Sequence, residues 1–401
     1  MDLPWRMKFG VFMAPYHTVG ENPALAIRRD IRTLQLLDEL GFDEAFIGEH
    51  HSAGWEPIPS PEVFIAHVAQ VTRSIRLGTG VLAVPYHNPY MVAERILLLD
   101  QLTEGRLLLG VGPGALPSDT AQLGIDAVKL RPRLDEGLGV ILRLLRGEVV
   151  SHESDWFSLR DASCQLQPFT ESGIPVFVAT TSSPAGARIA GKHGVGVLSG
   201  ANFRPLGEGL KSTWETAEES AAVHGQTLDR RSWRVMTGVY VAETREQAFH
   251  DVATSLHAFD KDYLGGTLGR PFAYDGPPDA YAEWLVVRGG SLIGSPDDVA
   301  EGLAAMWRQS GGFGGLLLRA QDFGASAMMH RSYELFARHV MPRFQGSLDR
   351  IIRSHKHAVA HREAYNLGEA RAIAAAIGDA GGPVPDVVLG ARIDGRPAPP
   401  R

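Results

Sequence analysis

Cysteine is almost absent from this chain of 401 residues. Cys164 is its only cysteine, which excludes an intramolecular disulfide and a metal site built from several thiolates. Positive charge is not in excess either, because 39 Lys and Arg stand against 46 Asp and Glu and the formal net charge is −7. Since no basic block interrupts this balance, we expect neither nucleic acid nor an anionic membrane as a partner.

Long apolar runs are also missing. No run approaches the roughly 20 residues that span a bilayer, and residues 1–6 lack the apolar core of a signal peptide. We therefore expect a soluble, cytoplasmic protein. The G-x-S-x-G motif of many hydrolases and the lysine motif of P-loop proteins do not occur.

What the sequence does contain is a regular alternation of short apolar runs with amphipathic segments. The predicted strands are Lys8–Met13, Phe42–Gly48, Ile75–Val84, Leu107–Val111, Pro175–Ala179, Gly196–Leu198, Trp233–Val241 and Gly315–Leu318. Eight strands alternating with eight helices predict an α/β fold, a TIM (β/α)8 barrel. A doubly wound sheet is the main alternative, although it seldom needs eight well-spaced repeats.

Two regions depart from this alternation. Residues 257–290 are rich in Gly, Pro and aromatic residues and show no sustained period, which is typical of a mobile lid inserted in an α/β protein. After residue 346 comes a helical segment that ends in a Gly- and Pro-rich tail. We therefore expect a barrel over residues 1–346 and a C-terminal helical extension with a flexible tail over 347–401.

A glycine-rich turn follows the fourth predicted strand. Gly112, Pro113, Gly114 and Ala115 cannot continue the strand, and their small side chains let a flat ligand approach the backbone. Loops at the carboxyl ends of barrel strands hold the ligands of such folds, so this turn predicts the floor of a cofactor site. An ordinary tight turn is the alternative. A dinucleotide fingerprint is disfavoured because prolines interrupt the helix that it must open.

Hydroxyl side chains follow the fifth predicted strand. The run from Thr180 through Thr181 and Ser182 to Ser183 stands directly before a helix that Pro184 begins. Hydroxyls and backbone N–H groups at a helix N-terminus form a phosphate site, and Arg131 could supply a second positive charge. Plain helix capping is the alternative.

Two histidines follow the second predicted strand, in the run Glu49-His50-His51. Consecutive strand residues point to opposite sides, so the pair is unsuited to share one metal ion, and we expect no metal site. One histidine that faces the barrel mouth could donate a hydrogen bond or transfer a proton, and we select His50.

The residues expected at the mouth also predict the kind of substrate. Phe12, Trp55, Tyr86 and Leu116 would line an apolar substrate pocket with few charges. An apolar, terpene-sized molecule follows from this, since a charged metabolite would need an arginine clamp that the sequence does not reveal.

Several motifs together resemble those of the bacterial luciferase-like flavin-dependent monooxygenases, over about residues 7 to 345. The motifs are Phe9–Phe12, Gly41–Glu44, Glu49–His51, Arg76–Gly80, Pro85–Pro89, Leu99–Leu102, Gly105–Arg106, Arg131–Arg133 with Asp135–Glu136, Gly294–Pro296 and Val340–Pro342. The stretch 110–119 together with Asp155–Phe157 is most similar to the limonene monooxygenase-like branch of this family.

The resemblance implies a barrel that binds reduced FMN (FMNH2) delivered by a separate flavin reductase. Dioxygen would add at the flavin C4a position, and the resulting hydroperoxide would epoxidise, hydroxylate or Baeyer–Villiger-oxidise an organic substrate. A homodimer is also expected.

By the same resemblance, individual residues acquire expected roles. His50 matches the active-site histidine near the reacting edge of the flavin, and this match is what selects it over His51. Gly80–Val81 matches a non-proline cis peptide beside the flavin ring. Arg131, Thr180 and Thr181 match positions near the phosphate.

Two departures from the family pattern stand in the glycine-rich turn. Gly112 replaces a cysteine of luciferase, which argues against light emission, and Pro113 replaces an arginine, which weakens the expected phosphate geometry. A reductase of the same barrel family that uses the deazaflavin F420 is one alternative. A flavin-binding protein without turnover is another, and the presence of His50 and a long lid segment argues against it.

Overall fold

The computed structural model describes residues 3–14, 16–180, 183–200, 208–320 and 326–384. The strands in these ranges are β1 (Lys8–Met13), β2 (Glu44–Ile47), β3 (Arg76–Thr79), β4 (Leu82–Ala83), β5 (Leu107–Gly112), β6 (Val150–Glu153), β7 (Ser158–Ala162), β8 (Val176–Thr180), β9 (Gly196–Gly200), β10 (Trp233–Val241), β11 (Ser291–Gly294) and β12 (Gly315–Arg319). Eight of them pair in parallel in the order β1-β2-β3-β5-β8-β9-β10-β12, and β12 pairs with β1 to close the ring. The predicted TIM barrel is confirmed.

Helices surround this ring. They are α1 (Pro23–Glu39), α2 (Pro61–Ala69), α3 (Pro89–Leu102), α4 (Pro117–Gln122), α5 (Leu130–Leu145), α6 (Ala185–His193), α7 (Glu208–Val223), α8 (Arg245–Phe259), α9 (Tyr281–Val287), α10 (Pro296–Ser310), α11 (Ser326–Leu335) and α12 (Pro342–Gln345). One further helix, α13 (Asp349–Asp379), comes after them in the chain. Local sequence explains where many of them begin. The side chains of Asn22 and Asn88 accept hydrogen bonds from first-turn N–H groups, and Ser295 forms a capping box with Asp298.

The alternation of side chains along the strands fills the barrel interior in layers. Five side chains from five strands form the central layer: Phe46, Leu108, Phe177, Leu198 and Leu317. Two residues before Phe46 and toward the amino end, Glu44 lies buried with Arg234, whose Nη2 donates to the Glu44 carboxylate at 2.8 Å. These side chains fill the barrel interior toward the amino ends of the strands, so a ligand site is expected at the carboxyl ends.

The third predicted strand is wrong in one respect, because it is not continuous. It breaks between β3 and β4 at a cis peptide bond between Gly80 and Val81, which confirms the expected cis bond. After the break, β4 pairs with the far end of β5. β6 and β7 form a separate antiparallel pair on either side of Trp156 and Phe157. The sequence did not predict β11, which pairs with the end of the nine-residue β10.

Segment 257–290, which lacks a sequence period, is largely helical in the structure. After α8 ends at Phe259, a π-helix covers Asp260–Thr267, and a 3₁₀ turn at Pro278–Ala280 precedes α9. Aromatic side chains pack within the segment; for example, the rings of Tyr274 and Tyr281 lie 4.9 Å apart. Its mobility stays a prediction.

The chain divides into two compact units, Met1–Gln345 and Gly346–Arg401. The described part of the second unit consists mainly of the 31-residue helix α13. Over the described ranges of both units, none of the helices has the length and apolar character needed to cross a membrane.

Candidate active site

A cavity of about 260 Å³ opens at the carboxyl ends of the barrel strands. Nine residues that the sequence proposed for the site contribute to its wall: Phe12, His50, Gly80, Val81, Pro113, Gly114, Ala115, Arg131 and Thr180. They lie near the carboxyl ends of five strands, β1, β2, β3, β5 and β8, except for Arg131, which lies in the first turn of α5. The fold therefore brings most of the predicted site together.

Four other predicted residues lie outside this wall. Gly112 stands behind it, where an added Cβ would come within 2.6 Å of a Val81 methyl group. Leu116 is buried in the loop before α4 and is 3% exposed. Tyr86 packs under Gly114, whose φ is +90° and whose added Cβ would lie 2.1 Å from the Tyr86 hydroxyl. Trp55 packs instead against segment 257–290, with its ring 5.3 Å from that of Tyr263.

Thr181 and Ser182, which the sequence proposed as phosphate ligands, lie outside the described residues. Their neighbours are described. Thr180 Oγ1 donates to the backbone carbonyl of Ser183 at 3.2 Å, and Arg131 Nε donates to Ser183 Oγ at 3.4 Å. Helix α6 begins two residues later at Ala185, which also lines the cavity. A guanidinium, a hydroxyl and the first N–H groups of a helix thus converge, as in an anion site.

His50 lies between two buried carboxylates. Its Nδ1 is 3.3 Å from Asp119 Oδ2, and its Nε2 forms an ion pair with Glu56 Oε2 at 3.0 Å. Burial alone would lower the pKa of His50, but the hydrogen bonds and charges of Asp119 and Glu56 outweigh it and raise the pKa to about 9. The ring is therefore an imidazolium at neutral pH.

Asp119 is held by more than His50. Its Oδ1 accepts the backbone N–H of His51 at 3.1 Å and the hydroxyl of Ser52. Burial favours the neutral form of this carboxyl, but the hydrogen bonds from His50, Ser52 and the His51 backbone overcome it and lower the pKa of Asp119. Asp119 is consequently ionised and fixed beside His50.

His51 belongs to a different cluster. Its Nε2 donates to Glu49 Oε1 at 2.9 Å, and His87 Nε2 lies 2.7 Å from the same oxygen. The other oxygen, Glu49 Oε2, accepts the N–H of Ala83 at 2.8 Å. These bonds overcome the burial of the carboxyl and lower the pKa of Glu49 to about 2, and the bond to Glu49 raises the pKa of His51. The ring of His51 packs 5.8 Å from that of Tyr86.

Comparison with known proteins identifies the family. The model of the luciferase-like monooxygenase family matches residues 7–313. The chain belongs to this family. It is 46% identical to the 4-hydroxyprotoasukamycin monooxygenase of Streptomyces nodosus subsp. asukaensis, over 87% of this chain and 95% of that protein. It is 39% identical to the limonene 1,2-monooxygenase of Rhodococcus erythropolis, over 91% and 94% of the two chains.

The solved structure of a type II Baeyer–Villiger monooxygenase is also similar. The oxygenating constituent of 3,6-diketocamphane monooxygenase from Pseudomonas putida, in complex with FMN, is 28% identical to this chain with a TM-score of 0.72. The match covers 84% of this chain and 98% of that one. The monooxygenase RslO1 of Streptomyces bottropensis shares the fold with a TM-score of 0.75 at 24% identity.

Some residues of this luciferase-like site were not foreseen in the sequence. Arg270 and Met236 line the cavity, and Asp119 and Glu56 hold His50. The sequence contains a feature that could have pointed to Asp119, because Pro117 begins a helix and an acidic residue is favourable in the first turn of a helix. No such feature points to Arg270, since it lies in segment 257–290, which has no sequence period. It places a positive charge at a mouth that the sequence predicted to have few charges.

Proposed function

We propose that the protein is a two-component monooxygenase. Reduced FMN from a separate flavin reductase would bind in the cavity, and the enzyme would use O2 to epoxidise, hydroxylate or Baeyer–Villiger-oxidise an apolar, terpene-like or other secondary-metabolite substrate. The observation that carries this proposal is the cavity itself, which combines a glycine-rich wall, an anion site and a charged histidine.

The cavity has the donors that a flavin mononucleotide needs at its phosphate end. Arg131, Ser183 and the N-terminus of α6 offer a positive charge, a hydroxyl and backbone N–H groups within one small region. A phosphate monoester carries a double negative charge near neutral pH, so this donor set suits it. Pro113, at the position of the luciferase arginine, contributes no charge, which leaves Arg131 as the proposed principal phosphate ligand.

The remaining wall suits a flat ring. Gly80 and Gly114 have no side chain to obstruct a ring, and Val81, Phe12 and Met236 add apolar surface. In the ring order of the strands, β2, which precedes His50, and β8, which precedes α6, are separated by β3 and β5. A ligand with its phosphate at α6 would therefore extend across the mouth toward His50. When bound there, reduced FMN would supply the two electrons that activate O2.

His50 is the proposed catalytic residue. Its imidazolium can donate a hydrogen bond to a developing negative charge and can give up a proton during the reaction. Segment 257–290 contributes Arg270 to the same cavity, which supports its proposed role as a lid that excludes water. The apolar side chains Phe12, Leu198 and Met236 support an apolar substrate. A homodimer and a cytoplasmic location remain proposals that rest on the sequence and the family.

Anaerobic titration of the purified protein tests the cofactor. We expect reduced FMN to bind more tightly than F420, and Arg131→Ala to weaken reduced FMN binding about tenfold. Arg133→Ala is the matched control, because Arg133 lies on the same helix but stacks on Trp156 at 5.3 Å and pairs with Asp155 at 3.7 Å.

Equal effects of the two arginine variants would place the phosphate elsewhere. Tighter binding of F420 than of reduced FMN would contradict the proposed cofactor. Binding of reduced FMN without any oxygenated product, over a panel of terpenes and polyketides, would favour a non-catalytic flavin protein.

A further inference from the structure

The two carboxylates beside His50 are held by different parts of the chain. Asp119 is fixed by Ser52 and the His51 backbone, which belong to the loop after β2. Glu56 lies later in that loop and is 4% exposed. Its Oε1 accepts a hydrogen bond from the hydroxyl of Tyr263, which is 207 residues away in the sequence.

Tyr263 belongs to the π-helix Asp260–Thr267 of segment 257–290, and it is 2% exposed. Its ring packs 5.3 Å from those of Trp55 and Phe259 and 5.4 Å from that of Tyr16. Burial and the nearby Glu56 raise the pKa of Tyr263. The hydroxyl therefore keeps its proton and acts as a donor to Glu56.

A second hydrogen bond ties the same two regions together. Trp55 Nε1 donates to Thr267 Oγ1 at 3.0 Å. Since Trp55 and Glu56 are adjacent, displacement of the π-helix would break the Trp55 and Tyr263 contacts together. Glu56 would then keep its ion pair with His50 and lose its hydroxyl donor.

A carboxylate that accepts a hydrogen bond from a neutral hydroxyl is a weaker base than one that does not, because the donor stabilises its charge. We propose that Tyr263, acting through Glu56, makes His50 a stronger acid while segment 257–290 is docked. Glu56 and Tyr263 are thus positioning residues for His50. The proton of His50 becomes easier to release when the cavity is covered and harder to release when it is open. The catalytic consequence of this coupling rests on the proposed function.

Other ionisable groups lie near His50 and Tyr263. Asp119 faces His50, Glu49 and Arg270 share its cavity, and Tyr16 and Arg270 act electrostatically on Tyr263. None of them is changed in the variants that follow, so their contributions stay constant.

The pKa of His50 can be measured by NMR on the full-length protein with ¹⁵N-labelled histidine and no cofactor. His50→Gln identifies the signal. We expect Tyr263→Phe to raise the pKa of His50 by about 0.5 to 1, the value of one hydrogen bond to the carboxylate. Glu56→Gln should lower it by about 1 or more. The double variant should match Glu56→Gln, because no carboxylate remains for Tyr263 to act on.

Tyr281→Phe is the matched control. It removes another buried hydroxyl–carboxylate bond of the same segment, from Tyr281 to Asp260 at 2.7 Å, and should leave the titration of His50 unchanged. A Tyr263→Phe variant that lowers or does not move the pKa of His50, or that shifts it equally in the Glu56→Gln background, would overturn the proposal. Because this titration needs no flavin, failure of the proposed cofactor would leave its result interpretable.

Discussion

His50 and His51 are neighbours in the sequence, and each is bound to a buried carboxylate, yet their surroundings differ. His50 lines the cavity and is held by Asp119 and Glu56, which come from α4 and from the loop linked to segment 257–290. His51 shares Glu49 with His87 and packs on Tyr86. One cluster therefore includes a contact to the proposed lid, and the other is built by the segments after β2 and β3.

The comparison shows how two adjacent residues of one loop come to lie in different surroundings. At the end of a strand, successive side chains point in opposite directions. One imidazole consequently enters the ligand cavity, where its charge can affect chemistry. The other joins a hydrogen-bonded network that fixes the backbone at Ala83, beside the break between β3 and β4.

The largest effect is expected from removing the cavity histidine. His50→Ala should keep the fold and bind reduced FMN, but coupled oxygenation should fall by about 10²- to 10⁴-fold because the proton donor is lost. Reducing equivalents would appear instead as hydrogen peroxide. The measurement is the ratio of product to peroxide with chemically reduced FMN. A peroxide leak in His51→Ala with normal turnover of His50→Ala would reverse the assignment.

The next largest effect is expected in the pH dependence of the free energy of unfolding, which distinguishes the cluster around His50 from the cluster around Glu49. The pKa of His50 is about 9 in the folded protein, above the usual 6.5 of an unfolded chain. Between these two pH values the folded state binds a proton at His50 that the unfolded state does not bind. The contribution of His50, on the order of 3 kcal/mol, is complete below pH 6.5 and is lost as pH rises through 9. The pKa of Glu49 is about 2, so its contribution is lost on the acid side, between about pH 4.5 and 2.

Urea unfolding across this pH range measures both contributions. His50→Gln should reduce the alkaline loss to the part that comes from His51, whose pKa is also raised. It should also shrink the acid-side loss, because His50 helps to lower the pKa of Asp119, while the contribution of Glu49 stays. If the alkaline loss of stability is as large in His50→Gln as in the unchanged protein, the two buried carboxylates do not hold His50 in its charged form.

A smaller effect is expected for the structural histidine. His51→Ala should lower the free energy of unfolding by about 1–2 kcal/mol, since Glu49 loses one of its two histidine partners. The ratio of oxygenated product to hydrogen peroxide should change by no more than a factor of about two, because His51 packs on Tyr86 and not in the cavity. Urea denaturation and the product-to-peroxide ratio are the measurements, and a large coupling loss without destabilisation would contradict the comparison.

The smallest effect concerns the contact to segment 257–290. Thr267→Val removes the acceptor of the Trp55 hydrogen bond and should cost about 1 kcal/mol, so amide exchange of residues 260–267 should quicken about fivefold. The barrel strands serve as the internal reference. In the unchanged protein this segment should already exchange faster than those strands and should slow with flavin and substrate bound. Equal protection of segment and strands in the free protein would count against a lid.

The sequence by itself determined the barrel and most of the cavity wall. Eight apolar runs spaced by amphipathic helices leave few other folds, because parallel strands must be buried on both faces. The loops that bind the ligand can then be predicted, since the residues after parallel strands meet at the carboxyl end of the barrel. This reasoning placed Gly114 and Thr180 correctly in the wall, although the sequence also proposed Trp55 and Leu116 for the pocket, and these pack elsewhere.

Only the tertiary structure decided the electrostatics of the site. Asp119 and Glu56 are 69 and 6 residues from His50 in the sequence, and Tyr263 is farther still. No periodic pattern marks such contacts, because they depend on how a short helix and an aperiodic segment pack over the barrel mouth. The pKa of a buried group is set by whichever charges lie within a few ångströms of it. Sequence patterns record which face of an element is buried, but they do not record those distances.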